Sequence, residues 1–156
     1  MSQFVGSHTF SVSEKGRFNI PSPVRQGLSP SAEDTFVVSP GPDGCLDVYP
    51  LDEWNRRARV FRKIPNKRMG RYYKRRILGG AVQCKMDAHN RILVPPDLLK
   101  SVGIERQILI VGQNDHLEFW NPDKHEAYMK KQDVSLEDVL EEIEDQLHGN
   151  GSGSQE

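Results

Sequence analysis

Apolar and polar residues alternate along His8-Thr9-Phe10-Ser11-Val12. They alternate again over residues 17–20, where Phe18 and Ile20 face one way and Arg17 and Asn19 the other. A period of two predicts a pair of half-buried strands. Glu14-Lys15-Gly16 between them predicts a turn, with Gly16 able to take the positive φ of a tight reversal. Pro21-Ser22-Pro23 ends the second strand, and Ser22 is placed to cap a short helix begun by Pro23 and closed near Gly27. Residues 35–39 and 45–49 read as strands joined through Gly41-Pro42-Asp43-Gly44. Asp52 and Glu53 then put negative charge in the first turn of a helix carrying Trp54, Ala58 and Phe61. Pro65-Asn66 breaks that helix, another is predicted over 67–78, and Gly79-Gly80 forms a hinge.

Past the hinge the same order returns. Strands are predicted at 81–86 and 91–94 around a turn at 87–90. A helix follows over 96–102, with Gly103 suited to its exit. Two more strands, 107–111 and 116–120, flank Gln113-Asn114-Asp115, and Asn121-Pro122 opens a helix. Set 74 residues apart, Arg17 falls on Arg91, Ile20 on Val94 and Pro21 on Pro95. Leu46-Asp47-Val48-Tyr49-Pro50 likewise matches Leu117-Glu118-Phe119-Trp120-Asn121. Residues 8–54 and 82–128 are therefore one unit written twice. Two copies are too few for a solenoid and predict a fold around one pseudo-two-fold axis. The expected organisation is a first repeat with a basic connector (1–78), a second repeat (79–132), an acidic amphipathic helix (133–148) and a flexible tail (149–156). Ser135 with Asp138 resembles a capping box at the start of that last helix, and Leu136, Val139, Leu140, Ile143 and Leu147 mark one face of it.

Charge sharpens the division. The net charge of −1 conceals a body carrying all 21 Lys and Arg and a terminal segment, 133–156, with eight acidic residues and no basic ones. Between Arg56 and Arg76 there are 11 Lys or Arg and no Asp or Glu. A basic body with an acidic end predicts a polyanionic partner. The chain holds no run approaching the ~20 apolar residues of a membrane span, and its first ten residues lack the pattern of a secretory signal. Cys45 and Cys84 accordingly read as reduced, packed thiols of an intracellular protein.

The candidate chemistry lies in the two turns. Asp87 and Arg91, four residues apart, permit a carboxylate to take hydrogen bonds from turn amides or from the guanidinium. One reading is a stiffened hairpin. The other is a pair of loops, brought together by pseudo-symmetry, that present Arg and Lys to the DNA backbone or base edges. The Arg repeated in both copies, with Lys15 and His89 alongside, favours the second. The basic run leaves three readings open: a solvated helix pair, a phosphate-tracking surface, or a face for a neighbouring subunit. Its members are Arg56, Arg57, Lys67, Arg68, Arg71, Lys74, Arg75 and Arg76, among others. The five histidines lack metal-ligand spacing, and no nucleophile elbow or phosphate-binding glycine loop is present. No enzyme, cofactor or metal is expected.

Certain strings carry a family resemblance: Lys15-Gly16-Arg17 with Ile20-Pro21; Gly41-Pro42-Asp43-Gly44-Cys45-Leu46 with Tyr49-Pro50-Leu51 and Trp54; Leu78-Gly79-Gly80-Ala81; and Asp87 through Arg91 with Pro95-Pro96. In this set the chain resembles the MraZ family of bacterial transcriptional regulators, related to the AbrB-type swapped-hairpin DNA-binding proteins. The resemblance implies an α+β fold in which two ββαββ-type units interlock as a pseudo-two-fold swapped-hairpin β-barrel flanked by helices. It implies a ring-shaped homo-oligomer, cytoplasmic and nucleoid-associated, without a membrane or small-molecule partner. Its target would be double-stranded promoter DNA at repeated sites upstream of the division and cell-wall gene cluster. Arg17 and Arg91 map onto the family's motif arginines and Lys15 onto a motif lysine, while Ser13, Gly16 and Asp87 shape the loops. The family's first element has Asp where this chain has Ser13, which can accept from a turn amide but cannot offset an arginine's charge. The alternative is an antitoxin-type AbrB relative that holds a protein toxin through the segment 135–147.

Overall fold

The computed structural model describes residues 1–152, the last three as backbone alone. The first copy runs β1 (Ser7–Ser11), β2 (Arg17–Asn19), α1 (Ser22–Gly27), β3 (Thr35–Pro40) and β4 (Leu46–Pro50), followed by α2 (Leu51–Lys63) and α3 (Arg68–Ile77). The second runs β5 (Val82–Lys85), β6 (Arg91–Leu93), α4 (Pro96–Ser101), β7 (Gln107–Gly112) and β8 (Leu117–Trp120), followed by α5 (Pro122–Lys130). Helix α6 (Leu136–Ser152) comes last. Its extent overlaps the start of the expected tail, and residues 153–156 lie outside the described residues. The chain divides into two compact units, Met1–His125 and Glu126–Glu156.

In the first unit the strand pairing exchanges the copies. One antiparallel sheet has the order β1-β7-β8-β4-β3-β5, and β2 pairs with β6 in a separate ladder. Swapping each strand for its counterpart in the other copy and reversing the order returns the same sheet. The first strand of each copy thus pairs with the third strand of the other, Phe10 opposite Ile108 and Phe36 opposite Cys84. At the centre β4 meets β8, with Asp47 opposite Glu118.

The expected closed barrel is not formed among the described residues. The large sheet ends at β1 and β5, and β2 and β6 pair only with each other. Those two strands are three residues long, and their backbone bonds go to each other and across their own turns, with no ladder to β1 or β5. The fold is α+β with one open sheet and a small second ladder.

Phe18 and Ile92 reach inward from the small ladder, and Phe36, Val38, Leu46, Val48, Ile108, Ile110, Leu117 and Phe119 from the sheet, into one core. Phe18 meets Phe119 edge-on, with centroids 5.3 Å apart. Both copies supply this core, so neither buries its apolar face alone. Residues 35–39 of β3 are buried without interruption, because α2 covers the side of the sheet away from the core. An aromatic run of Tyr49, Trp54, Phe61 and Tyr73 joins that helix layer to β4.

Side-chain caps close two of the helix starts, while α1, α2, α3 and α4 have none. Asn121 Oδ1 accepts the Lys124 N–H (3.0 Å), and Ser135 Oγ accepts the Asp138 N–H (3.1 Å). For α1, however, Pro21 occupies the cap position and Ser22 is already helical, with no side-chain cap. The fixed φ of Pro21 suits extended backbone at a cap. None of the described helices is long and apolar enough to cross a membrane.

Candidate nucleic-acid interface

The two turns are built alike. The Ser13 carbonyl accepts the Gly16 N–H (3.0 Å), and the Ser13 N–H donates to the Arg17 carbonyl (2.9 Å). In the second turn the Asp87 carbonyl accepts the Asn90 N–H (3.1 Å), and the Asp87 N–H donates to the Arg91 carbonyl (2.8 Å). Gly16 (φ +88°) and Asn90 (φ +62°) hold matching left-handed positions. Each then gives its carbonyl to the other copy: the Val94 N–H donates to Gly16 (3.0 Å) and the Ile20 N–H to Asn90 (2.9 Å). The turns are therefore clasped side by side by a reciprocal pair of backbone bonds.

This clasp sets where the side chains go. In β2–β6 the register places Arg17 opposite Leu93 and Asn19 opposite Arg91. Side chains at alternate positions and their cross-strand partners share a face. Phe18 and Ile92 take the buried face, leaving Arg17, Asn19, Arg91 and Leu93 on the outer one. Lys15, Arg17, Asn19 and Arg91 line one shallow concavity, together with the first turn. His89 is exposed at the tip of the second turn and is not part of that lining. Asn19 was not among the sequence candidates. Its alternation with Phe18 already placed it beside Arg17, but its position opposite Arg91 depends on which strand pairs with β2.

The two arginines differ in their surroundings. Asp87 Oδ1 accepts the backbone N–H of His89 (2.9 Å) and of Arg91 (3.0 Å), and Oδ2 accepts Arg91 Nε (3.2 Å). These bonds, the Arg91 amide foremost, hold the Asp87 carboxyl below the usual carboxylate range. At the matching place Ser13 Oγ accepts the Arg17 N–H (3.0 Å). Ser13 so shapes its turn without neutralising the arginine, and among the described residues Arg17 has no carboxylate partner.

Asp87→Ala is expected to lower the melting temperature at pH 7. A carboxyl whose pKa is depressed by folding adds stability above its unfolded pKa of about 3.9, and that stability is lost as pH falls through the folded value. The gap between wild type and variant should therefore close in that acid window. Identical melting curves at pH 7 would remove the loop-shaping role.

The basic run divides in the structure. Arg56, Lys67, Arg68, Arg71, Arg75 and Arg76 are exposed, and Lys74 is half-buried. Arg56 pairs with Glu53 at 2.8 Å. Arg57 is half-buried, its guanidinium 4.5 Å from the Tyr49 ring centroid, so it stacks within the helix layer instead of joining the outer surface.

One group of ligand-type side chains converges among the described residues. Donor atoms of Cys45, Asp47 and Glu118 lie within 4.8 Å of one another. Cys45 donates its S–H to the Pro42 carbonyl (3.2 Å) and to Glu118 Oε2 (3.5 Å). Burial, then the charges of Glu118 and Asp47, push the thiol far above its usual pKa. Cys45 is thus a protonated thiol whose acceptors are one backbone carbonyl and the Glu118 carboxylate. Burial also raises Asp47, against the influence of His116, whose Nε2 lies 3.9 Å away.

Comparison with known proteins bears on the whole chain. A family model described as MraZ protein, antitoxin-like, matches residues 77–146. The protein named Transcriptional regulator MraZ in Caldanaerobacter subterraneus subsp. tengcongensis is 34% identical over 90% of this chain and 96% of its own length. Its namesake in Pelotomaculum thermopropionicum is 36% identical over 91% of this chain and 96% of its own. That of Pediococcus pentosaceus is 34% identical over 91% and 97%. At these identities over nine-tenths of the chain, the chain belongs to the MraZ family.

Proposed function

We propose that this chain is a sequence-specific DNA-binding transcriptional regulator, and that the outer face of the β2–β6 ladder is its DNA-contacting surface. The observation that carries the reading is the clasp, which turns Arg17 and Arg91 outward on one face with Lys15 beside them. Guanidinium groups serve phosphate and guanine edges through paired donors, and Asn19 between them adds an amide able to pair with adenine. His89 extends the second turn as a further contact. The family relatives carry the name transcriptional regulator, which accords with this use.

The face of a single subunit is small. A strong grip follows if several copies in a ring engage several repeats of a promoter site, so that avidity multiplies a weak contact. The sites would lie upstream of the division and cell-wall gene cluster, in the cytoplasm at the nucleoid. AbrB-like interlocking of the two copies accounts for the exchanged strand pairing, with the barrel left open.

Fluorescence anisotropy with a duplex carrying the repeated sites, against a scrambled duplex, tests the proposal. Binding should favour the repeats, and its logarithm should fall linearly with the logarithm of salt concentration, by about 0.9 per phosphate neutralised. Equal affinity for both duplexes would exclude sequence-specific regulation, and a flat salt response would exclude the phosphate-contacting face.

A further inference from the structure

Two exposed faces of opposite charge lie on this one chain. Helix α3 presents Met69, 85% exposed, and Tyr72, 65% exposed, three residues apart on one side. Arg68, Arg75 and Arg76 border that pair, all exposed. Helix α6 presents Leu136, Leu140, Ile143 and Leu147, with Leu140 51% and Leu147 70% exposed. Their spacing of four, three and four residues makes a narrow stripe along one side of a helix, which Glu137 and Glu144 border. The acidic residues after position 132 have no basic residue among them.

We infer that the stripe of α6 in one copy docks on the Met69–Tyr72 face of α3 in a second copy, with its flanking carboxylates against the arginines. The inference deepens the self-assembly part of the proposed function and names the surfaces that join the subunits.

Charge selects this occupant over others. Two α6 helices laid stripe to stripe would bring like charges together along their flanks, which destabilises such pairing. DNA on α3 would use its arginines but gain nothing from an exposed methionine and tyrosine. Those residue types are enriched at the centres of protein interfaces, as arginine is. Since each chain carries both halves, the contact is head-to-tail and repeats from copy to copy, closing into a ring where the rotation permits.

The test uses full-length chains without DNA, with mass read by light scattering after size exclusion. One variant reverses α6 (Glu137→Lys, Glu141→Lys, Glu144→Lys), and the other reverses α3 (Arg68→Glu, Arg71→Glu, Arg75→Glu). All six positions are exposed, and circular dichroism checks that each variant remains folded. Each variant alone should lose the wild-type assembly mass, and an equimolar mixture should regain it. A second measurement pairs Leu140→Cys with Tyr72→Cys on differently tagged chains, the native Cys45 and Cys84 both being buried. A disulfide between the two tags is expected.

An assembly mass unaffected by both reversals would overturn the inference while leaving a ring assembled through other surfaces. Absence of any disulfide between the two tags would likewise overturn the contact between copies. A monomeric wild type would remove both this contact and the ring. If a foreign protein, such as a toxin, occupied α6, the α3 reversal would leave the mass unchanged, which also overturns it.

Discussion

Gly16→Ala is expected to destabilise the protein on the order of 3 kcal/mol, the range of a strained backbone position compounded by a steric clash. A Cβ at residue 16 would run into the Val94 carbonyl oxygen and crowd Leu99, and the φ of +88° disfavours any L side chain. The clash falls where Val94 donates its N–H to the Gly16 carbonyl, one of the two bonds that clasp the turns. The damage should therefore spread from one loop to the registry of both copies. For a domain of this size such a loss corresponds to a fall in melting temperature of roughly 6–12 °C. The counterpart Asn90→Gly relaxes an already tolerated left-handed position and should change little. Thermal unfolding of both variants gives the comparison. A Gly16→Ala protein melting with the wild type would mean that the clasp yields to a methyl group and does not fix the face.

Replacing both Arg17 and Arg91 by Ala should abolish measurable binding to a repeated-site duplex while the fold persists. A specific arginine contact is worth about 1–3 kcal/mol, and in a multivalent complex each loss recurs at every subunit. Arg17→Ala alone should weaken binding by roughly tenfold or more on that scale with an unchanged melting curve, since Arg17 makes no ion pair among the described residues. Arg91→Ala should lose binding and some stability together, because it also removes the partner of Asp87. Anisotropy and melting measured on the same preparations separate the two effects. Full affinity in the double variant would place the DNA contact elsewhere on the molecule.

Much of this architecture is legible in residue order. Period-two alternation located β1 and β2, the repeat of that order located β5 and β6, and the hairpin glycines located β3–β4. Gly16 and Asn90 fell at the turns, and Asn121 and Ser135 at helix starts, because such preferences are satisfied within a few residues of backbone. The copying of one unit was visible too, and with it a pseudo-two-fold axis. Which strand each strand would choose was not. Local pattern is the same whether β1 pairs inside its own copy or with β7, since either arrangement hides Phe10. Burial of a common core settles the choice, and that quantity exists only when both copies are present.

The consequences of that choice were hidden with it. The exchange brings Asn19 against Arg91 and Asp47 against its own repeat counterpart Glu118, residues over 70 positions apart. It also leaves the sheet open where a barrel was expected, because β2 and β6 pair with each other and not with β1 or β5. Charge along the chain marked residues 56–76 as basic but did not separate Arg57, stacked on Tyr49, from the arginines facing outward. Periodicity and turn chemistry are properties of neighbours in sequence, and they specified the repeated unit. Partnership, sidedness and the exposure of each charge come from contacts between distant residues, and these arise only when the two copies close on one another.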